Sequence, residues 1–338
     1  MKRADNRRRV TERNRRAPHS ARMETLVESY LRAVGIGGCQ DRNVFRERLR
    51  KKHGPIAERV AAAISAREEG EDVDVYVLKN HTLALTIDVT SQYCGQMYTE
   101  FLRWFLRGRF AQPKTLLDVG CDNGILTCFY ASLYPEAEVV GVDKCEQGIA
   151  CALELAGRLN LRNVRFAVRD LQSLEGVFPD QSFDLIVSTT VFQEVLRVPE
   201  HLPERGGWSI DAMEIELEDP DSVQVVADLV RLLHSEAGVW VSMERWLDAS
   251  SLAWWIRLIN EAGLGVIADQ STLLKFRSWD GEQETLPILV ATRHRHPSVG
   301  SGERMLAYRM YCSLAENQER TVGSKGPSRN LRRRNMAT

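Results

Sequence analysis

The clearest pattern of apolar and polar positions lies between residues 115 and 143. A first apolar run ends at a turn that contains Gly120 and Gly124, and the next apolar residues are spaced for one face of a helix. Pro135 ends that helix, and a second apolar run leads directly to Asp143. The pattern therefore predicts a strand, a glycine turn, a helix and a second strand, which together form a βαβ unit.

Alternating strands and helices continue as far as residue 292. The predicted strands are residues 164–168, 183–190, 238–243, 266–279 and 286–292, and the predicted helices are residues 146–159, 223–233 and 252–262. The last two strands flank a turn at Asp280 and Gly281, so we expect them to form an antiparallel hairpin. Strands that alternate with helices predict an α/β fold built on one sheet.

The residues before the βαβ unit predict a small helical cap. The expected cap helices are residues 24–34, 44–52 and 56–64, and the imperfect alternation over residues 73–88 predicts a hairpin. A further helix over residues 91–110 leads into the first strand of the main domain. We therefore divide the chain into four parts. These are a basic, disordered arm (1–22), the cap (23–90), the main domain (91–296), and a C-terminal helix with a basic tail (297–338).

Composition changes this picture mainly through charge. The 338 residues have a net charge of −1, but nine Lys or Arg residues lie in positions 1–22 and six in positions 319–338. Two basic tails thus flank an acidic body, and they either bind nucleic acid or are simply solvated.

The cysteines and the apolar runs concern the compartment. The seven cysteines contain no C-x-x-C pair and predict a reducing cytoplasm without a zinc site. No apolar run is long enough to predict a membrane span.

The βαβ unit contains the residues that indicate a bound ligand. A glycine turn lets a ligand approach bare backbone N–H groups, and a carboxylate at the end of the next strand can accept from ribose hydroxyls. The G-x-G-x-x-G pattern of dinucleotide sites is absent. Instead, LLDVGCDNG resembles the first motif of class I S-adenosylmethionine-dependent methyltransferases, and VVGVDK resembles their acidic second-strand motif.

The resemblance implies a fold, a cofactor and an activity. The fold is a Rossmann-like α/β sheet of seven mostly parallel strands, with helices on both faces and an antiparallel last strand. The cofactor is S-adenosyl-L-methionine, and the activity is methyl transfer by in-line displacement. The expected cofactor-binding residues are Asp118, Gly120, Cys121, Asp122, Gly124, Asp143, Lys144, Asp170, Leu171 and Thr189.

Asp122 departs from the family pattern, which usually has a glycine at this position. A side chain therefore lies where backbone normally faces the methionine part of the cofactor. Aspartate tolerates a positive φ better than most residues, so we expect the turn itself to be kept. We expect the aspartate at this position to affect the affinity for the cofactor.

A catalytic base is needed only when the acceptor arrives protonated, because the methyl carbon is already activated. The nearest candidates by chain position are Glu194, His201 and Glu244, of which Glu194 is the best placed. The alternative for Glu194 is a solvated residue on an exposed turn.

The acceptor itself is left open. The strand over residues 183–190 is followed by neither an Asn/Asp-Pro-Pro-aromatic motif nor a Pro-Cys nucleophile. Three hypotheses follow: a methyltransferase for a small-molecule or protein acceptor, an RNA methyltransferase that uses the basic tails, and a non-catalytic S-adenosylmethionine-binding protein. The acidic stretch 211–221 would attract a cationic acceptor or, alternatively, is a solvated loop.

Overall fold

The fold is described here from a computed structural model. It covers residues 19–108, 110–174, 178, 182–196, 220–234, 237–293, 302 and 305–311. The helices are α1 (His19–Val34), α2 (Arg42–His53), α3 (Pro55–Glu68), α4 (Val75–Lys79), α5 (Leu83–Tyr93), α6 (Gly95–Arg107), α7 (Ile125–Leu133), α8 (Glu146–Arg158), α9 (Pro220–Arg231) and α10 (Ala249–Glu261). The strands are β1 (Thr115–Val119), β2 (Glu138–Asp143), β3 (Val164–Val168), β4 (Leu185–Thr189), β5 (Val239–Met243), β6 (Gly265–Val266), β7 (Thr272–Arg277) and β8 (Gln283–Thr292).

The strands form one mixed sheet in the order β3-β2-β1-β4-β5-β8-β6, with β7 paired to β8. Strands β1 to β5 are parallel, and β8 runs antiparallel to β5, which confirms the predicted α/β class and its antiparallel final strand. Within the described residues the sheet has eight strands rather than seven. The predicted strand 266–279 is divided because the amides of Gln270 and Ser271 turn back to the carbonyl of Ile267.

Both faces of the sheet are buried, as expected for parallel strands between helices. The neighbouring residues Leu116 and Leu117 of β1 point to opposite faces and join two different apolar clusters. One cluster lies beneath α1, α6, α7 and α8, and the other lies beneath α9 and α10. The carboxyl ends of β1 to β5 therefore meet at a single edge, where open α/β sheets bind their ligands.

The predicted hairpin over residues 73–88 is wrong, because this segment forms α4 and α5. The side chain of Asp74 caps α4 by accepting from the Tyr76 amide, at 2.9 Å, and Thr82 caps α5 by accepting from the Leu85 amide, at 3.2 Å. Most residues of α5 are buried around its whole circumference, so the sequence shows no helical period there. The predicted helix 91–110 is also divided, since α5 ends at Tyr93 and α6 begins at Gly95.

The cap has a small core of its own but also contacts the main sheet. Its core consists of Phe45, Leu49, Ala57, Val60, Leu85 and Val89. Helix α1 packs on the sheet side, where the Tyr30 hydroxyl donates to the carbonyl of Ile125 at 2.5 Å. This helix begins at His19, within the segment predicted as a disordered arm, and the first 18 residues lie outside the described part of the chain. No helix in the described part is long and apolar enough to cross a bilayer.

Candidate functional site

The loop between β1 and α7 is shaped by three residues with positive φ. The φ angles of Gly120, Asp122 and Gly124 are 69°, 47° and 73°. A Cβ atom added at Gly120 would lie 2.3 Å from a methyl group of Val191, and one at Gly124 would lie 2.6 Å from the Cβ of Ala152. Both glycines are therefore required by close packing as well as by backbone conformation.

Asp143 ends β2 beside this loop. Its Oδ2 accepts from the Asp122 amide and its Oδ1 accepts from the Cys145 amide, both at 2.8 Å. Burial and the neighbouring Asp122 charge raise the pKa of Asp143, while these two backbone bonds oppose the shift. A carboxylate has about four lone-pair positions. Asp143 therefore holds the loop and keeps acceptor capacity for a ligand.

The end of β3 lies next to Asp143 along the same edge. Exposed Asp170 accepts from the Gln172 amide at 3.0 Å and so begins a short 3₁₀ turn, Leu171–Ser173, in which Leu171 is buried. Lys144, directly after β2, is also exposed. The structure thus brings the residues expected at the adenosine end of the cofactor to adjacent strand ends.

Asp118 and Cys121 lie deeper than the rest of the expected set. Asp118 is 2% exposed and accepts from the Thr127 hydroxyl of α7 at 2.6 Å, and burial raises the pKa of Asp118 to about 7. Cys121 is buried, and burial raises the pKa of its thiol. Both side chains support the loop from the interior.

Asp122 is held by two residues of the cap. Its carboxylate accepts from the Lys79 ammonium at 2.5 Å, from the Asn80 amide group at 2.6 Å and from the Asn123 side chain at 3.0 Å. Burial disfavours the charge of Lys79, but Asp122 and Tyr76 outweigh it and raise the pKa of Lys79. The sequence pattern missed Lys79 and Asn80 as site residues, because it assigned them to the turn of a hairpin.

The segment after β4 forms the other side of the site. Thr189 is buried, and its hydroxyl has no hydrogen-bond partner among the described residues. Thr190 has a φ of 52°, which is rare for a β-branched residue and is typical of functional loops. Glu194 follows in a short turn, where both of its oxygens accept from the Arg67 guanidinium of α3.

A tyrosine of the cap lies between these two contacts. The ring of Tyr76 has the Arg67 guanidinium at 5.4 Å from its centroid and the Lys79 ammonium at 4.6 Å. Burial raises the pKa of the Tyr76 hydroxyl, and the charges of Lys79 and Arg245 partly oppose this. Cap residues therefore cover both the β1 loop and the segment after β4.

Glu244, the residue after β5, is 1% exposed. Its Oε2 accepts from the amides of Val191 and Phe192 at 2.8 and 3.0 Å, while its Oε1 has no partner among the described residues. Burial raises the pKa of Glu244 to about 8, despite these backbone bonds. Glu244 thus fixes the segment that packs against Gly120. His201 and the acidic stretch as far as residue 219 lie outside the described residues.

These features fit the cofactor that the sequence resemblance implies. Asp143 has unused acceptor positions, and the unpartnered hydroxyl of Thr189 is a buried polar atom that a ligand can satisfy. Strand order also places the two groups on neighbouring parts of one edge, since β1 lies between β2 and β4. The edge is therefore suited to an elongated nucleoside ligand.

Comparison with known proteins gives one family match and several partial relatives. Residues 112–258 match the family model described as a methyltransferase domain. Malonyl-acyl-carrier-protein O-methyltransferase of Bacillus cereus is 31% identical over 90 residues, which cover 26% of this chain and 31% of that protein. Trans-aconitate 2-methyltransferase of Deinococcus radiodurans is 37% identical over 78 residues, which cover 23% and 27%.

Among solved structures, a TehB-like SAM-dependent methyltransferase from Corynebacterium glutamicum is 19% identical, with a TM-score of 0.37. The match covers 55% of this chain and 84% of that one. The aligned part of this chain spans between 25% and 55% of the length of the curated relatives it matches.

Proposed function

Residues 112–258 belong to the class I, Rossmann-like S-adenosylmethionine-dependent methyltransferases, and on this basis we propose that the chain methylates a small-molecule or protein acceptor. One observation carries the proposal. The carboxylate of Asp143 ends β2 beside the Gly120–Gly124 loop, accepts from two backbone amides, and keeps acceptor positions for ribose hydroxyls.

We assign the cofactor's adenosine end to the ends of β2 and β3. Asp143 binds the ribose, while Asp170, Leu171 and Lys144 surround the adenine. Gly120 and Cys121 supply backbone, Asp118 and Gly124 hold the loop in shape, and Thr189 closes the site from β4. When bound, S-adenosylmethionine supplies a methyl carbon that is already activated. The residues of this chain then have to align the acceptor and exclude water.

Among acceptors, we favour a small organic acid. A carboxylate arrives deprotonated and needs no base, and neither candidate base among the described residues is free. Glu194 is paired with Arg67, and Glu244 is buried against two amides. Arg245, in contrast, is exposed, forms no salt bridge among the described residues, and lies close enough to Tyr76 for its charge to lower the pKa of that hydroxyl. The relatives named for malonyl and trans-aconitate acceptors agree with this choice.

For an acceptor that arrives protonated, Glu194 remains the proposed base, and Arg67 would have to release it. This assignment would apply to an amine or hydroxyl acceptor. It would also make the Arg67–Glu194 pair part of the reaction, so that Arg67→Gln would change the pH dependence of turnover.

The test combines binding with an acceptor panel. Calorimetry should detect S-adenosylhomocysteine binding, and mass spectrometry should detect the methyl ester of a member of a panel of di- and tricarboxylic acids. The matched controls are the corresponding amides, which should not react. Methylation of RNA instead, with an affinity that falls steeply with salt, would favour the second hypothesis. Cofactor binding without turnover over organic acids, amines, peptides and RNA would favour the non-catalytic one.

A further inference from the structure

The ion pair between Lys79 and Asp122 stands where the methyltransferase family usually has only glycine backbone. Both side chains are largely buried, with 12% and 14% of their surfaces exposed. The Asp122 carboxylate also accepts from the side chains of Asn80 and Asn123, and Asn80 in turn accepts from the Thr86 hydroxyl at 2.6 Å. The position of the Asp122 carboxylate is therefore fixed by a network from the cap and the loop.

The position of this pair along the sheet edge suggests which part of a ligand meets it. The strand order runs β3, β2, β1, β4. The residues proposed for adenine follow β3, the ribose residue Asp143 ends β2, and Asp122 follows β1. Asp122 is also bonded to Asp143 through its amide, so the pair is the immediate neighbour of the ribose site. The next part of an elongated ligand would lie against Lys79 and Asp122.

A buried ion pair is a poor means of stabilising a fold, because the cost of desolvating two charges offsets much of their attraction. A cation and an anion side by side are, however, the electrostatic complement of a zwitterion. The amino acid end of S-adenosylmethionine carries an α-carboxylate and an α-ammonium group. A carboxylate of the ligand would then pair with the cation, and an ammonium group of the ligand with the anion, so that none of the four charges is left unpaired.

We propose that Lys79 and Asp122 form the binding site for the amino acid end of the cofactor, with Lys79 contacting the α-carboxylate and Asp122 the α-ammonium group. This inference rests on the proposed function. It assigns the cap a direct part in cofactor binding, because Lys79 lies at the end of α4 and Tyr76, one helical turn earlier, holds its ammonium group at 4.6 Å from the ring. It also gives the Asp122 carboxylate a function at a position where the family usually has a glycine.

The experiment compares two ligands that differ only at this end. S-adenosylhomocysteine carries the whole amino acid, and 5′-methylthioadenosine lacks it but keeps adenine and ribose. Calorimetry at pH 7 measures both affinities for the full chain, for Lys79→Met/Asp122→Asn, and for Lys275→Met as a matched control on the exposed face of β7. The double variant removes both charges together, so neither is left buried without a partner.

We expect the double variant to lose at least about tenfold in affinity for S-adenosylhomocysteine and to bind 5′-methylthioadenosine within about twofold of the unaltered chain. The control should leave both affinities unchanged. Tighter binding of both ligands by the double variant would mean that the pair merely blocks the site. Equal weakening of both would mean a structural role. Either result overturns the proposal.

Two further outcomes separate this inference from the proposed function. If the unaltered chain binds neither ligand, the proposed function itself fails. If it binds both with affinities within about threefold of each other, the cofactor site stands but the amino acid end has no such partner. Should this double variant not fold, Lys79→Gln/Asp122→Asn gives the same comparison, because it also removes both charges and Asn80 and Asn123 can still bond an amide oxygen at position 122. Asparagine also tolerates the positive φ.

Discussion

Two of the ion pairs between the cap and the main domain look alike but lie in different surroundings. Each joins a cation of the cap to a carboxylate that follows a strand, Lys79 to Asp122 after β1 and Arg67 to Glu194 after β4. In the first pair the side chains are 12% and 14% exposed, and in the second they are 35% and 26% exposed. The same chemistry thus occurs once in a buried network and once close to water.

Burial decides what each pair can do. Water screens the Arg67–Glu194 pair, so it contributes little to stability and can open at small cost. The Lys79–Asp122 pair has lost most of its hydration, so removing one partner leaves the other charge buried without a counter-charge. The two contacts should therefore differ strongly when their partners are removed one at a time.

Among substitutions compared at one fixed pH, the largest effect is expected from Lys79→Met. This change leaves the Asp122 carboxylate without its cation, and the free energy of unfolding should fall by about 3 kcal/mol. Urea denaturation measures it, with Lys275→Met as the control for a lysine on an exposed strand. The double variant Lys79→Met/Asp122→Asn should recover part of the loss, because it removes both charges. A loss below about 1 kcal/mol would mean that burial does not separate the two pairs.

A somewhat smaller effect is expected from Asp143→Ala on cofactor affinity. Asp143 borders the buried pair but belongs to the main domain, so it tests whether the ribose is bound independently of the cap. Binding of S-adenosylhomocysteine should weaken by about 1.5 to 3 kcal/mol, the scale for hydrogen bonds to a charged group. Asp170→Ala, at an exposed position, should weaken it less. Unchanged calorimetric affinity would remove Asp143 from the site.

Glu244 extends the comparison to a buried carboxyl group without an ion pair. Its pKa in the folded chain is raised to about 8 from an ordinary value of 4.5, so the folded state binds a proton that the unfolded state lacks between these values. Stability should therefore fall as pH rises through this window, by at most about 1.4 kcal/mol per pH unit. Glu244→Gln does not titrate, so its stability relative to the unaltered chain should increase from pH 5 to pH 8.

The measurement is a series of urea denaturations of both proteins over this pH range. Asp118, whose pKa is also raised by burial, is present in both proteins and cancels in the difference. A difference that is independent of pH would show that Glu244 is ionised in the fold.

The smallest effect is expected from Arg67→Gln. Because the Arg67–Glu194 pair is partly exposed, its loss should cost less than about 1 kcal/mol, and less still at high salt. Thermal denaturation at two ionic strengths measures it. A loss of several kcal/mol that is insensitive to salt would make the two ion pairs equivalent.

The main domain was predictable because its signals are local. Residues from Thr115 to Asp143 form two strands, a turn and a helix that are consecutive in sequence, and glycines mark the turn positions where a Cβ atom is not tolerated. The α/β class, the antiparallel final strand and the methyltransferase family followed from these motifs and are confirmed. The positions of Asp143 and Gly120 at the ends of strands were also predicted, since a residue at a strand end is placed by the strand itself, while their role in cofactor binding stays a prediction.

The cap was predicted less well because burial there does not follow a simple period. Helix α5 is buried on nearly all sides, so its polar residues Thr86, Thr90 and Gln92 hid the helical pattern. Lys79 is 43 residues from Asp122 and Arg67 is 127 residues from Glu194, and no local signal relates them. The sequence by itself determined the fold of the main domain and the place of the Gly120–Gly124 loop. Only the tertiary structure decided which charges face each other, because pairing across such distances depends on how the cap packs over the sheet edge.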